Sequence, residues 1–155
     1  MMIPILVLSL LLSGVNGGAA SGSGFDRLKA LAGDWDATSP EGNSRITFTV
    51  ISNGTAVMES MTHENMVTVY HPDGDSVFMT HYCAVGNQPR MRARRSETDS
   101  MTFQFVDVAN LKGIGAGRMQ RLTIKFEDAD HITEEWTWKE GKKETTSVFH
   151  LRRAK

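Results

Sequence analysis

The chain has 155 residues, 40% of them hydrophobic and 23% charged, which suits one globular domain and leaves no room for a second. Its 17 basic and 18 acidic residues nearly cancel, so no global field draws it to nucleic acid or to an anionic membrane. One cysteine, Cys83, excludes an intrachain disulfide and a cysteine-only metal site.

The apolar run Ile3 to Leu12, followed by small residues up to Ala20, predicts a signal peptide over 1–20. It is too short to span a bilayer, which takes roughly 20 apolar residues. The protein is therefore expected to be secreted or periplasmic, with no membrane span after cleavage. Ser21 to Gly24 reads as a flexible leader, and 25–155 as the domain.

Phe25, Leu28 and Leu31 have helical spacing, with Gly33 as the stop, and predict one or two turns acting as a lid or plug. From there the period is two. Strands are predicted at Asp34–Ser39, around Ile46, Phe48 and Val50, and at Ala56–Thr62, Met66–His71, Ser76–Cys83, Arg90–Ser96, Met101–Val106, Gly117–Phe126, Ile132–Lys139 and Glu144–Arg152. Asn53-Gly54, Pro72 to Asp75, Glu97 to Asp99, Glu127 to Asp130 and Glu140 to Lys142 are short turns, none long enough for a crossover helix. The fold class is all-β: an antiparallel up-and-down barrel of about ten strands with a short N-terminal helix. Ala84–Pro89 and Ala109–Gly115 are the longer links and the candidate mouth loops.

Gly33-Asp34-Trp35 opens the first strand just after the short helix, and Arg152 or Arg153 ends the last strand. In this the chain resembles the lipocalin-like (calycin) barrels, whose Gly-x-Trp motif stands there and whose late arginine packs across that tryptophan. The strand count is more similar to the ten-stranded fatty-acid-binding and nitrobindin-like members than to the usual eight-stranded lipocalins. The resemblance implies a small hydrophobic or amphipathic ligand in the barrel. It also implies, from the nitrobindin-like members, a haem alternative with His81 or His150 as axial ligand, and, from the fatty-acid-binding ones, arginines that hold an anionic head group.

Parity along the strands identifies candidate contacts, since residues two apart share a face. With Trp35 inward, Phe48, Phe103, Phe105, Leu122, Ile124, Trp136 and Trp138 line an aromatic interior. Glu134 shares that face, and an ionised carboxylate there needs a partner such as Arg90, Arg92 or Arg94, unless a bulge or the barrel mouth leaves it in water. His81 and Cys83 share a face with Val77 and Met79, while Tyr82 looks the other way. An imidazole beside a thiol can activate a thiolate, but no acidic orienter or oxyanion donor is identifiable. The alternative is a buried cysteine beside a hydrogen-bonded histidine. No histidine pair has zinc-ligand spacing. Three readings follow: a barrel binding a partly apolar and anionic molecule through His81, Cys83, Arg90, Arg92, Phe103, Phe105, Glu134 and Trp136; a small-molecule enzyme using His81 and Cys83; and a solid-core structural or interaction barrel.

Overall fold

The computed structural model describes residues 24–94 and 99–155. The signal peptide and most of the leader, the strand end at Arg95-Ser96 and the turn at Glu97-Thr98 lie outside the described residues.

A helix, α1 (Gly24–Ala30), precedes ten strands: β1 (Gly33–Ser39), β2 (Gly42–Ile51), β3 (Ala56–Met61), β4 (Met66–Asp73), β5 (Ser76–Tyr82), β6 (Gln88–Ala93), β7 (Ser100–Ala109), β8 (Arg118–Phe126), β9 (His131–Glu140) and β10 (Lys143–Arg153). Each strand pairs antiparallel with its neighbours in sequence, and β10 returns to β1, closing the barrel. Closure leaves no unpaired edge. The alternation that predicted the strands is visible in burial: Val57, Glu59 and Met61 on β3, and Val77, Met79 and His81 on β5, point inward with half-buried residues between them.

Two expectations shift at their margins. The helix begins at Gly24, a leader residue by sequence, and Asn53-Gly54 is part of a 3-10 turn over Ser52–Gly54 rather than a two-residue hairpin. Asn53 carries φ of 53° there, a conformation asparagine tolerates.

Antiparallel connectivity gives the barrel a helix end and a loop end. Phe25, Leu28 and Leu31 are buried across the helix end, over Trp35. The Trp35 indole Nε1 donates to the Leu31 carbonyl at 2.8 Å, and its ring meets Phe48 edge-on at 6.3 Å. Trp35 is paired with Arg153 across β1 and β10, and that guanidinium lies 4.4 Å over the indole. Arg153, rather than Arg152, is thus the residue that packs on the tryptophan. It also donates to the carbonyls of Ala30, Ala32 and Ala129 at 3.0–3.2 Å, tying the helix, the β8–β9 turn and both closing strands together. Gly33 has φ of +126°, and a Cβ there would approach Arg153 Nη1 to 3.3 Å. Glycine suits both the backbone and the close guanidinium.

At the loop end the two longer links are fastened to each other. The buried Asn87 donates through Nδ2 to the Gly117 carbonyl at 2.8 Å. Gly117 lies flat against Trp138, where a Cβ would fall 2.0 Å from Cζ2. Gly117→Ala is therefore expected to displace the indole and cost about 1–3 kcal/mol. Chemical denaturation, with tryptophan emission reporting the ring's new surroundings, checks it.

Candidate functional site

Inside this shell, mid-barrel, lies a cluster of polar side chains in an otherwise apolar core. The register places Phe48, Glu59, Thr68 and His81 in one cross-strand row over β2, β3, β4 and β5. From β9, Glu134 and Trp136 stand beside Ile124 and Leu122 of β8. Tyr70, one inward step along β4, completes the group. Glu59, Glu134 and Tyr70 have no solvent exposure, and Thr68, His81 and Trp136 have 1–3%.

The hydrogen bonds within the cluster are local and incomplete. Tyr70 Oη donates to Glu59 Oε2 at 2.5 Å, Trp136 Nε1 donates to Glu134 Oε2 at 3.0 Å, and Thr68 Oγ1 shares a 3.0 Å bond with His81 Nδ1. The His81 ring lies tilted against Trp136, centroids 4.8 Å apart, and Tyr70 meets Phe103 at 5.5 Å. Within the cluster, Glu59 and Glu134 share a side-chain hydrogen bond when one of them is protonated, which leaves His81 Nε2 as the buried atom without a partner among the described residues. Buried polar groups are ordinarily satisfied, at a cost of about 1–3 kcal/mol when they are not.

Burial dominates the protonation of these groups. It holds the Glu59 carboxyl well above the usual carboxylate range, and the neighbouring Glu134 pushes it further. Glu134 is raised by burial to about 7, opposed by the Trp136 hydrogen bond and by Glu59. Burial lowers His81 to about 4, so its imidazole is neutral at physiological pH. Tyr70 is raised well above an ordinary phenol by burial and by Glu59. Near neutrality the interior thus holds a carboxyl pair that retains at least one proton, beside a neutral imidazole.

The structure gathers some predicted contacts and separates others. His81, Phe103, Glu134 and Trp136 lie together inside. The arginine partner predicted for Glu134 is replaced by a second carboxyl, Glu59, because Met91 and Ala93 take the inward positions of β6 and turn the arginines outward. Arg90 pairs with Asp107 on the outer wall through both its Nε and Nη2. Arg90→Ala is expected to leave the midpoint of chemical denaturation unchanged, since exposed pairs contribute little. Arg92 stacks on Phe78 at 4.3 Å and approaches Asp73 at 3.9 Å.

Phe105 keeps inner parity opposite Met91 but sits half-buried at the rim, with the Arg118 guanidinium 4.3 Å over its ring. Cys83 falls just past β5, half-buried, with its backbone N–H bonded to Asn87 O. Neither His81 nitrogen bonds its sulfur: Nδ1 is on Thr68 and Nε2 is bare, so there is no thiolate–imidazole couple. His150 is exposed and bonded to Thr133, which leaves His81 as the inward histidine of the haem pair.

Glu59, Thr68 and Tyr70 were missed, although the signal was present: Val57-x-Glu59-x-Met61 alternates as cleanly as any strand of the chain.

Surface grooves lie elsewhere. One of about 720 Å³ opens at the helix end between Phe25, Asp75, Val77, Arg94 and Met101. Two more, of about 590 and 530 Å³, run along the outer wall of β5 to β7 and are bordered by Arg92 and Phe105 and by Arg90 and Tyr82 respectively. The inward aromatic residues Phe48, Phe103 and Trp136 are packed as core. Toward the loop end the inward residues become half-buried, at Met66, Phe105, Met119 and Trp138.

No protein-family model matches the sequence, and no curated protein matches it. Among solved structures the chain is similar to a redesigned beta barrel at 12% identity and a TM-score of 0.38, over 83% of this chain and 95% of that one.

Proposed function

We propose that the protein is a lipocalin-like barrel that takes a small, partly apolar molecule into its interior from the loop end, with the Glu59, Glu134 and His81 cluster as the recognition element. The observation that carries this reading is a cluster of two carboxyls, a phenol and an imidazole at essentially zero exposure, with His81 Nε2 unpartnered. A packed core gains nothing from such groups, whereas a hydrogen-bonding ligand would satisfy the imidazole nitrogen. The ligand lies above the cluster, against Trp136 and the half-buried residues near the loop end. An anionic head group does not suit this interior, because the arginines are outside and the carboxyls inside. The apolar run at the N-terminus supports export.

A solid-core structural barrel is the second reading, favoured by the complete burial of Phe48 and Phe103. Native mass spectrometry and an absorption spectrum of the purified protein separate the two. Added mass that is lost from Glu134→Gln supports interior binding, and a Soret band would identify haem held by His81. A bare mass with no Soret band, unchanged by incubation with small-molecule mixtures, sinks the binding reading.

A further inference from the structure

We infer that the outer wall of β5 to β8 is a docking surface for an acidic, extended peptide segment of a partner protein, held by Arg92, Arg94 and Arg121. This surface is independent of any ligand inside the barrel.

Charge is spread unevenly over the barrel. The chain has a net charge of -1, and cations elsewhere on the surface stand against carboxylates: Arg45 between Asp34 and Asp36, Lys29 on Asp26 at 2.7 Å and Lys139 on Glu144 at 3.1 Å. On the outer wall of β6 to β8 that matching thins out. Arg90 is answered by Asp107, but the carboxylate beside Arg92, Asp73, is 3.9 Å away, beyond hydrogen-bond distance. Arg121 donates to the neutral Thr137 hydroxyl at 3.3 Å. Arg94 is exposed and forms no ion pair among the described residues.

The register aligns these guanidiniums. Arg92 faces Gln104 across β6 and β7, and Gln104 faces Arg121 across β7 and β8, which sets two arginines about 10 Å apart around one amide. Arg94 shares the outer face with Arg92, about 7 Å further along the chain. Carboxylates two residues apart on an extended peptide repeat at that interval, so alternate acidic side chains meet Arg92 and Arg94 in step. Two grooves succeed one another along this wall, of about 590 Å³ beside Arg92, Arg94 and Gln104 and of about 530 Å³ beside Thr80, Tyr82 and Arg90. Each carries exposed apolar surface, Val106 at 46% and Tyr82 at 49%. Arginine with exposed tyrosine and valine is the composition of a protein interface rather than of a small-anion site. The near-neutral chain supplies no wider field for a polyphosphate or a membrane.

Fluorescence anisotropy of the purified protein with a short labelled peptide carrying glutamate at every second position tests the surface. That peptide is expected to bind at least about tenfold more tightly than the matched peptide with glutamine in place of glutamate, and the preference should shrink as salt is raised to about 0.5 M. Gln104→Glu sets a carboxylate between Arg92 and Arg121 and should erase the preference, as should Arg92→Gln combined with Arg94→Gln. Circular dichroism confirms that these variants are folded, and Arg94→Gln alone, at an exposed position, should give a smaller loss in the same direction. Binding of neither peptide, equal affinity for the two, or a preference unchanged in every variant overturns the inference. Tighter binding of a DNA duplex or of phosphatidylserine vesicles than of the acidic peptide overturns it as well.

Discussion

Glu59→Gln is expected to yield a protein more stable than the native one at pH 8, with little difference near pH 4.5. The amide has the shape of the protonated acid, accepts the same Tyr70 hydrogen bond and cannot ionise. The sign follows from proton accounting. In the unfolded chain Glu59 loses its proton near 4.5, whereas the folded carboxyl keeps it to well above that. Over that interval the native state binds more protons, so stability falls as pH rises. Glu134 acts in the same direction between 4.5 and about 7. His81 opposes both, because between about 4 and 6.5 the unfolded imidazole is protonated and the buried one is not. The native protein should therefore lose stability from about pH 4.5 upward, more steeply only between 6.5, where the His81 contribution ends, and about 7, where that of Glu134 ends. In Glu59→Gln the remaining two contributions nearly cancel up to 6.5, giving a plateau. Urea denaturation at pH 4.5, 6.5 and 8 measures the profile. Parallel curves for native and variant would show that Glu59 ionises normally in the fold.

Trp35→Ala should be the most destabilising single change at the helix end, costing about 3–5 kcal/mol and lowering the melting temperature by about 10 °C. The indole is fully buried, and three contacts converge on it. Its removal leaves a cavity beside Phe48, strips the Leu31 carbonyl of its donor and takes the platform from beneath Arg153. Arg153→Lys should be intermediate, at about 1–2 kcal/mol, since one ammonium cannot serve carbonyls on the helix and on the β8–β9 turn together. Thermal melts of both variants rank them. If Arg153→Lys proved as damaging as Trp35→Ala, the clamp would depend on the guanidinium rather than on the ring.

The barrel was readable because its strands alternate strictly and its links are too short for anything but antiparallel neighbours. Phe48, Phe103, Leu122, Ile124 and Trp136 fall inside as their parity predicts. The interior charge was misread for a physical reason. A lone buried carboxylate needs a cation, and β6 offered arginines at alternate positions, but the same alternation gives Met91 and Ala93 the inner face. The correct partner was a second carboxyl two strands from His81, which parity alone would have exposed at Glu59. Cross-barrel neighbours such as Glu59 and Glu134 are 75 residues apart in sequence, a juxtaposition made only by closure of β1 on β10. Phe105 and Trp138 had the right parity, but parity does not say how far along the barrel a side chain sits, and both lie at the rim.

Carbon-13 detection of the side-chain carboxyls of glutamate, titrated from pH 3 to 9, addresses the central claim most directly. Two resonances should titrate well above the solvent-exposed glutamates and disappear from those positions in Glu59→Gln and Glu134→Gln respectively. If every glutamate titrated near 4.5, the buried carboxyl pair would not be the recognition element of this barrel.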